Sequence, residues 1–169
     1  IHSGLIVAPY KDKNIYPLMG LLYQEFPNWS GTKIRSYMDL VLSKQNTNGG
    51  VLIAQNEALY YVGVLVYSFQ KINFDFEKNI ESTKKTNIIV IENLIASSPI
   101  LQKQVFMALV EATVKIAKHL SCDYVELPKV DHESFQFVRK KYGSQIEDAK
   151  GFRSYITLSS SPNNLNPLG

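Results

Sequence analysis

The sequence predicts a mixed α/β fold, and three observations carry that expectation. Asn87 to Ala96 is a nearly continuous apolar run rich in Ile and Val, as expected of a strand covered on both faces. It breaks at Ser97, Ser98 and Pro99 and feeds a long amphipathic segment in which Leu101, Val105, Ala108, Leu109, Ala112, Ile116 and Leu120 recur at helical spacing. Upstream, GVLIAQ (Gly50 to Gln55) and LYYVGVLVYSF (Leu59 to Phe69) are separated only by Asn56, Glu57 and Ala58, a spacing that makes an antiparallel hairpin.

The remaining elements follow in order. Gly4 to Ala8 is a short apolar strand stopped by Pro9. From Asn14, read as an N-cap, Ile15, Leu18, Met19, Leu22 and Phe26 mark an amphipathic helix with Pro17 in its first turn, ended by Pro27. Thr32 then caps a second helix with Ile34, Tyr37, Met38 and Val41 on its apolar face. Gly63, inside the longer hairpin strand, marks either a bulge or a close approach by another backbone or a ligand. Lys71 to Thr86 is charged and without period, and reads as a long exposed hairpin loop extended at its base by Phe74 and Phe76. After the long helix, YVEL (Tyr124 to Leu127) is a short strand stopped by Pro128. Asp131 or His132 begins a helix carrying Phe135, Val138 and Tyr142, with Gly143 at its C-terminal cap. Phe152 to Leu158 alternates as a last strand.

At 169 residues and 45% hydrophobic, the chain is expected to form one domain over 1–158, with 159–169 a polar tail. A formal charge of +3, from 18 basic and 15 acidic residues, is mild, and no basic stripe suggests a nucleic-acid partner. Cys122 stands alone, which excludes an internal disulfide and fits a reducing compartment. No apolar run approaches the roughly 20 residues of a membrane span, and the N-terminus lacks the order of a signal peptide; the expectation is a soluble, cytoplasmic protein. A chain that does not begin with Met is expected to be trimmed or cut from something longer. His and Cys show no metal-ligand spacing, and no G-x-S-x-G elbow or phosphate-type G-x-x-x-x-G-K-[ST] occurs.

The order strand, helix, helix, hairpin, strand, long helix, strand, helix, strand resembles the GNAT superfamily of acyl-CoA-dependent N-acyltransferases over roughly residues 4 to 158. Ile91 to Phe106, IENLIASSPILQKQVF, looks like that family's strand-to-helix segment, which commonly ends in R-G-x-G-x-G or Q-x-x-G-x-G/A. Register places Leu101 on the family's Arg and Gln102, Gln104 and Phe106 on its glycine positions, so no glycine remains. Those glycines let main-chain N–H groups approach the CoA pyrophosphate. Lys103 adds a cation beside it, or is simply a solvated lysine at a helix start. A second motif, N-x-x-A-x-x-x-Y-x-K-x-G-F, is matched only by Lys141 and Gly143; His132 falls on the Asn and Arg139 on the Tyr, with Tyr142 three residues further on.

The resemblance implies a mostly antiparallel sheet with splayed central strands and helices on both faces. It implies acetyl-CoA as cosubstrate and an amine of a small molecule or peptide as acceptor. The cofactor-binding residues it implies are Leu94, Ala96, Gln102, Lys103, Gln104, Val105, Phe106, Met107, His132 and Lys141. Glu92 is the expected general base, on the face of Leu94 by the strand's period of two, with burial raising its pKa. Its alternative role is a carboxylate paired with a core Arg, Tyr or backbone donor. Tyr142, or Tyr61 or Tyr67 on the face of Gly63, is the candidate general acid; Asp131 reads as a cap. Glu25, Asp39 and Glu57 are the acidic groups that could attract a cationic amine, or are ordinary solvated charges. A glycine-free loop also fits a domain that binds or assembles, or senses CoA, without turnover. A homodimer would show as an exposed apolar edge on the last strand or on the helix bearing Ile34, Tyr37 and Met38.

Overall fold

The structure, a computed structural model, describes residues 4–45, 47–75, 78, 80–128, 135–149 and 153–158. Its centre is a seven-stranded sheet in the order β1-β2-β3-β4-β5-β7-β6. The strands are β1 (Ile6–Pro9), β2 (Gly49–Gln55), β3 (Tyr61–Asp75), β4 (Ile80–Ala96), β5 (Tyr124–Glu126), β6 (Ile146–Ala149) and β7 (Arg153–Thr157). Every pairing is antiparallel except β4 with β5. The mixed, mostly antiparallel sheet expected from the sequence is therefore present.

Alternation in β2 and β3 divides the core into two layers. Val51, Ile53, Val64 and Val66 pack under α1 (Met19–Glu25) and α2 (Gly31–Ser43), against Leu18, Leu22, Ile34 and Met38. Leu52, Ala54 and Leu65 face the other way, against Val105, Leu109 and Val110 of α3 (Gln102–His119) and Val138 and Tyr142 of α4 (Gln136–Tyr142). Helices thus cover both faces. The buried stripe of α3 also includes Phe106, Thr113, Val114 and Ala117, so it is rotated from the Leu101, Ala108, Ala112 spacing. Ile34 and Met38 are fully buried, so that helix face is interior and not a free edge for a dimer.

Local chemistry sets the ends of the elements. A 3-10 turn, Tyr16–Leu18, precedes α1, and Asn14 Oδ1 accepts the Tyr16 N–H at 3.1 Å. Ser30, not Thr32, caps α2: its Oγ accepts the Lys33 N–H at 3.1 Å. Gly143 ends α4 as its C-cap, where the sequence placed it, in a right-handed conformation (φ −45°, ψ −50°) that leads into a 3-10 turn. The short strand β6 was not legible as one. The expected helix start at Asp131 or His132 and the tail 159–169 lie outside the described residues.

The largest correction concerns Lys71 to Thr86. Instead of a loop, pairing runs from Lys71↔Asn87 out to Asp75↔Ile80 with an irregularity after Asn73. β2 ends opposite Ser68 and β5 begins opposite Ile88, so among the described residues the outer hairpin has no strand neighbour but itself. Backbone pairing alone makes these strands, which is why no apolar period announces them. Gly63 stands beside a bulge, one of the two readings its sequence position offered, and what approaches it most closely is a side chain rather than a backbone or a ligand. Val62 is the extra residue of a bulge opposite Ala54 and Gln55, and a Cβ on Gly63 would lie 2.2 Å from Val105 Cγ1.

Candidate functional site

The site forms where β4 leaves β5. Their parallel pairing covers only Ile88↔Tyr124, Ile89↔Val125 and Val90↔Glu126. Beyond Val90, β4 stays on β3 as far as Ala96, while Leu127 turns to β7, its N–H donating to Ser154 O at 2.8 Å. From Ile91 to Ala96 the β5-facing edge of β4 therefore has no strand beside it among the described residues. Its main-chain groups are available to a ligand.

Inside that open stretch the register slips: Val66 pairs with Asn93, but Tyr67 pairs with Ile91, leaving Glu92 as the extra residue of a bulge. The bulge breaks the period of two. Ile91 and Leu94 both pack into the α3 layer, while Glu92 and Asn93 between them both turn toward α2. Glu92 is thus not on the face of Leu94, and it is solvent-exposed rather than buried. The second bulge, at Val62, likewise separates Tyr61, which packs in the α1/α2 layer, from Tyr67, which packs with Gly63 against the α3 layer.

Two hydrogen-bond chains converge at the bulge. Gln70 Nε2 donates to Ser68 Oγ at 3.1 Å, and the Ser68 hydroxyl donates to Glu92 Oε2 at 2.8 Å. The Tyr37 hydroxyl donates to Asn93 Oδ1 at 2.7 Å, and Asn93 Nδ2 donates to Glu25 Oε2 at 3.0 Å. Burial, then the charges of Glu92 and Glu25, push the Tyr37 phenol up to about 12, so it stays a protonated donor across the physiological range. Phe26 and Trp29 stack at 4.2 Å and both meet Tyr37 edge-on, which holds its ring in place. Tyr37, Asn93, Ser68 and Gln70 were not read as site residues. The bulge that gathers the first three around Glu92 leaves no mark in sequence. Of the three acidic candidates, only Glu25 reaches this network; Asp39 lies with Lys11 and Asp12 beside β1, and Glu57 lies beside Gly4.

The second half of the site is the start of α3. Its first residue follows Leu101, which offers no side-chain cap, and the helical ladder begins with Val105 N–H to Leu101 O at 2.9 Å. The N–H groups of Lys103 and Gln104 consequently have no acceptor among the described residues. Eighteen aligned residues add a positive end to this helix, and the Lys103 and Gln104 side chains are exposed beside it.

No protein-family model matches the sequence, and no curated protein matches it. Solved structures do. The NatC complex bound to Gag peptide and CoA aligns at TM-score 0.63 with 15% identity, covering 92% of this chain and 99% of that one. The aminoglycoside N-acetyltransferase AAC(6')-Iy in complex with CoA aligns at 0.62 with 14% identity, over 86% and 90%. The aminoglycoside 6'-N-acetyltransferase AAC(6')-Ih of Acinetobacter baumannii aligns at 0.58 with 12% identity, over 83% and 88%. The chain has the GNAT acetyltransferase fold.

Within that GNAT fold, the three residues on the glycine positions are placed apart. Gln102 is half-buried and Gln104 exposed, whereas Phe106 faces the core and stacks on Phe135 at 5.7 Å. Val105 is buried beneath Gly63, Leu94 is buried, and Ala96 and Met107 are half-buried. The amides from Val105 onward belong to the helical ladder, so the open donors are confined to the first turn. His132 lies outside the described residues. Lys141 pairs with Glu111 at 2.9 Å on the α3–α4 seam. Tyr142 is buried in the α3 layer, its phenol pushed up to about 12 by burial and then by Glu111. The structure does not bring Tyr142 together with Glu92; the sheet lies between them.

Proposed function

We propose that the protein is an acyl-CoA-dependent N-acyltransferase that moves an acetyl or related acyl group onto an amine of a small molecule or peptide. One observation carries this reading: the β4 bulge turns a carboxylate outward two residues past the point where β4 loses its β5 neighbour, and the same strand runs on through the turn after Ala96 into an uncapped helix start. Acyl transfer to an amine needs a group to receive the amine proton and donors for developing negative charge. Both are in reach of one stretch of chain.

The donor set at α3 fits CoA. Main-chain N–H groups of Lys103 and Gln104, with the Lys103 ammonium, would hold the pyrophosphate, and the free edge of β4 between Leu94 and Ala96 would take the amide-bearing arm. CoA supplies the activated acyl carbon. The chain's own part is to hold the acceptor and move its proton. The Ser68 hydroxyl fixes Glu92 Oε2, and no described residue bonds the other carboxylate oxygen. That oxygen receives the proton of the attacking amine, directly or through water, as the new C–N bond forms and the C–S bond breaks. The departing thiolate would be protonated from solvent.

A second reading, a binding or assembly module without turnover, draws support from the turn itself, where Gln102, Gln104 and Phe106 replace the glycines. Calorimetric titration with acetyl-CoA and with free CoA separates the two. The expected result is saturable binding in the micromolar range, weakened about tenfold by Lys103→Glu. Glu92→Gln should keep that binding and lower turnover by roughly 10²–10⁴. Absence of binding up to millimolar ligand overturns the enzyme reading.

A further inference from the structure

A cavity of about 270 Å³ lies between α2 and the sheet, and Glu92 is one wall of it. Lys44, the residue that ends α2, lines the same cavity together with Asn48, and Leu40, Val41 and Val66 supply an apolar floor. Glu92 and Lys44 face one space with opposite charge, yet no ion pair joins them, and Lys44 has no side-chain partner among the described residues. Lys44 is the C-cap of α2, where the backbone dipole favours a cation.

A monoamine would answer Glu92 and leave Lys44 unanswered. A diamine would bring a like charge to Lys44. A ligand with an ammonium at one end and an anionic group at the other satisfies both, with a short apolar stem over Leu40, Val41 and Val66. The volume is at the small end of ligand sites, below the ~300–1,000 Å³ of drug-sized pockets, which suits a compact molecule rather than a multi-ring amine.

We infer that the acceptor is a small aminocarboxylate, its amine at Glu92 and its carboxylate at Lys44. This rests on the acyltransferase reading for what happens to the amine, but the binding preference stands apart from turnover. The test therefore has two readouts. The first is NMR titration of the ligand-free protein with glycine, 4-aminobutyrate and 6-aminohexanoate, each against the monoamine and the diamine of matching stem. The second is acetyl transfer to the same amines.

At least one aminocarboxylate should bind about fivefold tighter than its monoamine. Lys44→Met should erase that preference and Lys44→Glu should reverse it toward the diamine. Equal binding within each matched set, or a preference unmoved by both Lys44 variants, overturns the inference. Selective binding without transfer sustains the inference and refutes the acyltransferase reading. Transfer that ignores the carboxylate does the opposite.

Discussion

Gly63→Ala offers a sharp test of how the sheet positions α3. Gly63 is not in a positive-φ conformation, so in an open site the exchange would stabilise by about 0.4–1 kcal/mol through the unfolded chain. The site is not open. The new methyl would lie 2.2 Å from Val105 Cγ1 and 3.1 Å from Leu109 Cδ1, against a comfortable carbon–carbon separation of ~3.5–4.0 Å. Val105 is fully buried and β-branched, so it has no easy rotamer to retreat into, and the first turn of α3 must lift away from β3. Overpacking of this kind costs about 1–3 kcal/mol, or about 2–4 °C of Tm per kcal/mol for a chain of this length. Thermal unfolding of Gly63→Ala, Val105→Ala and the double variant forms the assay, with CoA titration as its functional counterpart. The alanine at 63 should be destabilising in the parent and nearly neutral beside Val105→Ala, and it should weaken CoA by moving the Lys103 and Gln104 amides. An unchanged or raised Tm in the parent, with coupling below about 0.5 kcal/mol, would refute the packing argument.

Cys122 is buried, and burial followed by the charge of Asp123 pushes its thiol up to about 11 from 9.0. At pH 8 that implies about a hundredfold less thiolate than for a free cysteine, so a thiol reagent should label it only on unfolding; rapid native labelling would contradict the placement. Tyr37 and Tyr142 both hold their protons to about pH 12 in the folded state, whereas an unfolded tyrosine releases its proton near 10.0. The unfolded chain thus binds fewer protons between those values, and stability, fully present below pH 10, should fall as pH rises toward 12. Tyr142→Phe should flatten that fall in denaturant titrations run from pH 9 to 12, and an unaltered slope would show that Tyr142 is not buried as described.

The strand from Asn87 to Ala96 and the helix after it were legible because each repeats one simple pattern against the core. Ile88, Ile89 and Ile91 need no context to be placed inside. The face of Glu92 was not legible. Parity along a strand assigns faces only while each residue has one partner, and at Asn93, Glu92 and Ile91 two partners across β3 receive three residues. The same accounting misassigned Tyr61, which lies one bulge away from Gly63. Tyr37 was read correctly as part of the apolar face of α2; its hydroxyl reaches Asn93 because a ring long enough to cross that face ends at the exposed edge. Helix caps failed for a smaller reason, since Ser30 and Thr32 are both competent capping residues and only the chain's path between Phe26 and Trp29 chooses one.

The outer hairpin of β3 and β4 carries a consequence for solubility. Among the described residues no third strand lies beside this hairpin, so its outer edges could pair with an extended peptide that passes. Lys71, Lys78, Lys84 and Lys85 are exposed along it. A second chain laid against this ribbon would have to bring its own backbone past those ammonium groups. The charge that erased the strand's signature would also oppose polymerisation along this edge. Exchange of those lysines for valine or threonine would give a more recognisable strand and a less soluble protein.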